Sequence, residues 1–149
     1  MRIVNQISYR AGYKYQLCET CSLHVPIMPA EDIQADWITL TRGGLLVIRH
    51  GYAWDGPSGP TIDTHTFMRG SLVHDALYQL MREGHLNWRE HRESADRILQ
   101  ALCIEDGMCR MRAWWVYRGV RRFAGYAARP EQNRPVLRAP RMKVSPQCP

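Results

Sequence analysis

DGPSGP (residues 55–60), SLVHDALY (71–78) and SADRIL (94–99) are three short runs whose joint reading decides how this chain folds. The first is too rich in Gly and Pro for helix or strand. Its prolines stiffen the backbone, while Gly56 and Gly59 permit unusual angles or the close approach of another group. With Ser58 between them, such a loop can aim carbonyls and amides at an ion or an oxyanion. It can equally be a tight turn from a sheet into a helix. Next comes a predicted helix over 67–82, with Phe67, Leu72, Val73, Ala76, Leu77, Leu80 and Met81 as a broad apolar stripe. His74 and Tyr78 share a face at i,i+4, and Asp75 is turned about 100° from His74. Thr64 or Thr66 can cap its start, and Gly84 can end it. A second helix is predicted from 89 or 90 to 104, with Ala95, Ile98, Leu99 and Leu102 inward. Asp96 sits beside that stripe. A carboxylate there needs a partner: His74 and Tyr78 on an antiparallel neighbour, or Arg92 one turn earlier.

Upstream of the turn the pattern is β. Tyr13, Tyr15 and Leu17 alternate with polar residues. Residues 37–41 and 45–48 are β-rich runs joined through Arg42, Gly43 and Gly44, a hairpin signal. Cys18 and Cys21 form a Cys-x-x-Cys with His24 three residues on. Thiolates and imidazole suit zinc, but two further ligands would have to come from afar, and two ordinary cysteines on a strand and turn are the alternative.

Downstream, a third helix is predicted over 108–125, with Met111, Trp114, Trp115, Val116, Tyr117, Val120 and Ala124 as its apolar face and arginines among them. Such a helix is a core element with a charged outer side, or a surface for lipid or nucleic acid. From 127 to 149 recurring prolines and arginines predict an extended basic arm. Charge is split: residues 1–106 hold 10 Lys/Arg against 13 Asp/Glu, net −3, and residues 107–149 hold 10 against one, net +9. The basic end, residues 110–143 above all, points to an anionic partner, nucleic acid or lipid, or else to a solvated tail.

At 149 residues the chain fits one domain. The expectation is α+β: one small antiparallel sheet within 1–55, about three helices within 66–126, then the arm at 127–149. No run nears the ~18 apolar residues of a membrane span. The absence of a signal-peptide pattern and the odd cysteine count predict free thiols in a reducing compartment.

Chemically, an imidazole held by a carboxylate is a general base. His74 is the expected base, Asp96 its orienting acid and Tyr78 a member of the same network. Asp75 and Asp55, with loop carbonyls, form a hard oxygen site for a divalent cation, calcium in preference to zinc. The bland alternative is a polar cluster that ties two helices together.

Two resemblances follow from these residues. The segment over about 45–125 resembles a family of short phage and prophage proteins of unassigned function, through Gly51, Tyr52, Asp55, Ser58, Pro60, His74, Asp75, Leu77, Tyr78, Ala95 and Asp96. Its turn departs from the more apolar filling usual in that family. The resemblance implies a phage origin, a place in the virion or the infected cytoplasm, and phage structural proteins as partners. The chain is also similar to secretory and parvoviral phospholipases, in the helix bearing His74, Asp75 and Tyr78 and in Asp96 on its partner helix. That similarity implies a base, a calcium ligand, a network tyrosine and a supporting acid in that order. The Gly-rich loop order and the flanking disulfide cysteines of those enzymes are missing. The phage resemblance implies no activity. The grouping of Asp55, His74, Asp75, Tyr78 and Asp96, with the phospholipase similarity, leads to the expectation of a metal-assisted hydrolase acting on phospholipid or cell envelope. The rival is a non-enzymatic virion or assembly component.

Overall fold

A computed structural model describes residues 7, 9–10, 15–56 and 65–132. It is α+β, with seven short strands followed by three helices among the described residues. The strands are β1 (Tyr9–Arg10), β2 (Tyr15–Leu17), β3 (Cys21–His24), β4 (Ile33–Gln34), β5 (Ile38–Leu40), β6 (Leu45–Ile48) and β7 (Ala53–Trp54). The expected single sheet is divided into two, a three-stranded one in the order β1-β2-β7 and a four-stranded one in the order β3-β6-β5-β4. All strand pairings among the described residues are antiparallel, and the predicted hairpin is β5–β6, with Thr39 opposite Val47. Its turn closes through Gly44 N–H donating to Thr41 O at 2.9 Å and Leu45 N–H donating to Thr41 Oγ1 at 3.1 Å. Gly44 has φ 79°, and a Cβ there would run into the Val25 carbonyl. Only glycine meets both conditions without strain.

Helix α1 (His65–Arg82) lies at the centre. Ile38, Leu40, Leu46 and Ile48 from the larger sheet join Leu72, Val73, Leu77 and Leu80 of α1 in one buried cluster. Ala95, Ile98 and Leu102 of the following helix belong to the same cluster, and contact with both sheet and helix explains why α1 is apolar on more than one side. Trp54 closes the smaller sheet onto α1, its indole N–H donating to Ser71 Oγ at 3.1 Å. After Gly84, at φ 80°, Asn87 caps α2 (Trp88–Glu105) by accepting from Arg89 N–H at 3.0 Å. Both helices extend a residue or two beyond the sequence reading, ordinary fraying-end differences.

Gly70 sets the distance between α1 and α2. A Cβ built on it would lie 3.0 Å from both Cys103 Sγ and Leu99 Cδ1. The contacts then run antiparallel, from Arg69 against Glu105 and Asp106 to Tyr78 against Arg92. Gly70→Leu is therefore expected to destabilise the fold by about 1–3 kcal/mol through overpacking, read as a lower urea midpoint with unchanged m. An unaltered midpoint would mean that the helices are not held this close.

Helix α3 (Arg110–Phe123) departs from expectation. Of its residues only Ala113 and Val116 are buried, in a second cluster with Phe67, Leu99, Cys103 and Met108. Met111, Trp114 and Trp115 face outward, 72%, 46% and 64% exposed. The reason is geometric: α1 and α2 already cover each other, and they leave α3 only a narrow strip to pack on. The described part of the expected arm, residues 127–132, is not extended. Residues 125–132 form two 3₁₀ turns, Gly125–Ala128 and Pro130–Gln132. Ala128 is fully buried, and Arg82 Nη1 donates to Ala127 O at 3.1 Å. Residues 133–149 of the arm lie outside the described residues.

Candidate functional site

His74 and Asp96 meet, as their positions on α1 and α2 imply. His74 Nε2 is 2.8 Å from Asp96 Oδ1, and Tyr78 donates its hydroxyl to the same oxygen at 2.6 Å. The i,i+4 spacing stacks the His74 and Tyr78 rings, with centroids 4.1 Å apart, so both polar ends reach one carboxylate. Asp96 is fully buried. Its other oxygen accepts from Arg121 Nη1 of α3 at 3.0 Å, and Arg92 Nε stands 3.9 Å away. Arg92 continues the network, donating to Tyr78 Oη at 3.3 Å and to Val120 O at 3.1 Å, with a further bond to Arg121 O. One carboxylate thus joins three helices, and the sequence reading anticipated every partner except Arg121. No local signal marks Arg121, which is 25 residues away on another helix.

The remaining imidazole nitrogen faces the expected cation ligand. His74 Nδ1 is 3.8 Å from Asp75 Oδ1, and the Asp75 side chain is 33% exposed against 7% for His74. Asp75 therefore lies at the rim and His74 behind it. Asp55 is exposed, and its charge, like that of Asp75, acts on the buried Tyr52 hydroxyl, whose pKa is raised first by burial and then by Asp75. Gly56 has φ 72°, and a Cβ there would lie 2.5 Å from Tyr15 Cε2, so the start of the loop is pressed against β2. Ser58 and Gly59, from which loop carbonyls were expected, lie outside the described residues.

Burial opposes a charge on His74, yet Asp75 and Asp96 outweigh it and raise its pKa above the ordinary 6.5. Burial likewise opposes ionisation of Asp96, but His74, Tyr78 and Arg121 hold its pKa below the ordinary 3.8. Burial and then Asp96 raise the Tyr78 phenol, so it stays a donor. The signs fix a pH window. The His74 contribution is complete below 6.5 and lost as pH climbs through its raised value; that of Asp96 is complete above 3.8 and lost as pH falls through its lowered value. The melting-temperature gap between wild type and Asp96→Asn should therefore be widest between pH 3.8 and 6.5 and narrow on the alkaline side. A gap that does not change with pH would mean that His74 carries no charge in the fold.

The zinc candidates are arranged differently. Cys21 is buried at the start of β3 and His24 is exposed at its end, three residues apart on a pleated strand and so on opposite faces. Cys18 is exposed, with its Sγ 3.9 Å from Gln16 O. Burial pushes the Cys21 thiol up to about 11, which keeps it protonated. Cys103 is buried in α2 and pushed up to about 12 by burial and Asp106, while Cys109 precedes α3 and is exposed. Among the described residues no group of three His, Cys, Asp or Glu side chains is set to hold a metal ion. For a hard cation the fit is partial: Asp75 offers an accessible carboxylate oxygen at the rim, Asp55 and Gly56 are the described residues of the loop, and Ser58 and Gly59 lie outside the described residues.

No helix among the described residues is long and apolar enough to cross a membrane. No family model matches the chain, and no match is found among curated proteins or solved structures.

Proposed function

We propose that this chain is a metal-assisted hydrolase of phage or prophage type, acting on an ester of a phospholipid or of the cell envelope. The supporting observation is the 2.8 Å contact of His74 Nε2 with Asp96, made while Nδ1 is directed to the partly exposed Asp75. Asp96 fixes the ring orientation and selects the tautomer with the proton on Nε2, which leaves Nδ1 as the base. Tyr78 and Arg121 hold Asp96 in turn. A divalent cation at Asp75 would supply positive charge for a developing oxyanion. His74 favours its protonated form when Asp75 is bare, so neutralising Asp75 is what frees Nδ1 to accept a proton from water.

Hydrolysis of phospholipid vesicles and of a soluble acyl ester, with calcium and with chelator, tests this reading. The expected result is turnover that requires calcium and is lost in Asp75→Asn at an unchanged melting temperature. Activity that is the same in chelator, or untouched by Asp75→Asn, would remove the cation from the mechanism.

A second reading has its own support. The Arg92 and Arg121 contacts make Asp96 a junction of α1, α2 and α3. A satisfied polar junction can specify packing without chemistry. In that case the chain is a non-enzymatic virion or assembly component whose basic end contacts a neighbouring subunit or nucleic acid. Virion association without turnover on any ester would favour it.

A further inference from the structure

Helix α3 presents an outer face with a composition unusual for a solvated helix. At about 100° per residue, Arg110, Trp114, Arg118, Met111, Arg122 and Trp115 lie in that order across an arc of about 140°, with the partly buried Arg121 between the first two. All six are exposed. Three are large and apolar and three are cationic, and residues 107–130 contain no Asp or Glu. Phe123, at the end of the same helix, is 74% exposed. Arg121 falls at the Arg110 edge of the same arc and is the arginine engaged by Asp96, about a third exposed, so that ion pair leaves the six exposed residues free of Asp96.

We propose that this face of α3 docks on a bilayer surface bearing anionic headgroups. The charge is complementary, and the apolar side chains alternate with arginines closely enough for each to reach its own layer. Trp and Met enter the boundary between headgroup and acyl chain, while the guanidinium groups stay at the phosphates. Single-stranded nucleic acid would use the same charge, but it needs flat rings offered in succession. Trp114 and Trp115 meet edge to face at 74°, and Arg118 lies 5.7 Å from the centre of the Trp114 ring. The pair therefore offers no stack of parallel faces. The inference stands on α3 alone and holds whether or not the hydrolase reading does.

The test uses the full chain with vesicles of phosphatidylcholine, with and without phosphatidylglycerol. Co-sedimentation and tryptophan emission are the readouts, and a single-stranded oligonucleotide is the control. Binding is expected only to the phosphatidylglycerol vesicles, falling steeply with salt, together with a blue shift of emission. Arg118→Glu/Arg122→Glu should weaken binding about tenfold or more. Trp114→Ala/Trp115→Ala should abolish the blue shift. Both pairs are on the solvent side, so the melting temperature should hold; if the glutamate pair fails to fold, Arg118→Gln should show the same loss in smaller measure. Absence of vesicle binding, equal binding to neutral vesicles, or variants that bind like wild type would overturn the proposal. So would an oligonucleotide that binds this face where vesicles do not.

Discussion

Asp96→Ala is expected to lower the melting temperature by roughly 10 °C, the largest effect of any single substitution in the helical half. Breaking a buried ion pair by removing one partner costs about 3–5 kcal/mol, and each kcal/mol lowers the melting temperature by about 2–4 °C in a chain of this size. Asp96 is fully buried and its deletion leaves His74, Tyr78 and Arg121 without their common acceptor. Arg121 is about a third exposed, so water recovers part of its loss. His74 has no such relief and would be expected to give up its proton. Asp96→Asn keeps an acceptor oxygen but not the charge, and should fall between the two. Circular dichroism melting of the three proteins settles the order. A shift for Asp96→Ala within about 0.5 kcal/mol, typical of an ordinary surface position, would show that the junction does not hold the helices.

His74→Ala is expected to reduce calcium-dependent ester hydrolysis by about 100-fold or more, the range of a positioned general base. The same substitution should cost less stability than Asp96→Ala, because Asp96 keeps Tyr78 and Arg121 as donors. The two substitutions therefore separate the roles: loss of rate with a modest melting shift belongs to a base, and loss of stability belongs to the junction. His74→Ala with wild-type turnover would end the hydrolase reading and leave the assembly component.

Much of this arrangement was legible in the chain. The i,i+4 spacing of His74 and Tyr78 and the place of Asp96 beside an apolar stripe are local properties, and a helix converts them directly into shared faces. The hairpin of β5 and β6 was likewise written in its β-rich runs and in Gly44. The division into two sheets was not, because it depends on which strand pairs with which, and β2 pairs with β7 between Gln16 and Ala53 and between Tyr15 and Trp54, far apart in the chain. The cysteine spacing near His24 suggested a ligand set, but the pleat of β3 turned Cys21 and His24 to opposite sides.

Helix α3 marks the boundary most clearly. Its sequence determined that it would be a helix carrying tryptophan, methionine and arginine with hardly an acid nearby. It did not determine which side would be inward. An apolar side chain is buried only where neighbours have surface left to cover it, and α1 and α2 had spent most of theirs on each other and on the strands. Local spacing fixed which residues could share a face; the tertiary packing decided that Asp96 would gain Arg121 and that Trp114 and Trp115 would be left to the solvent.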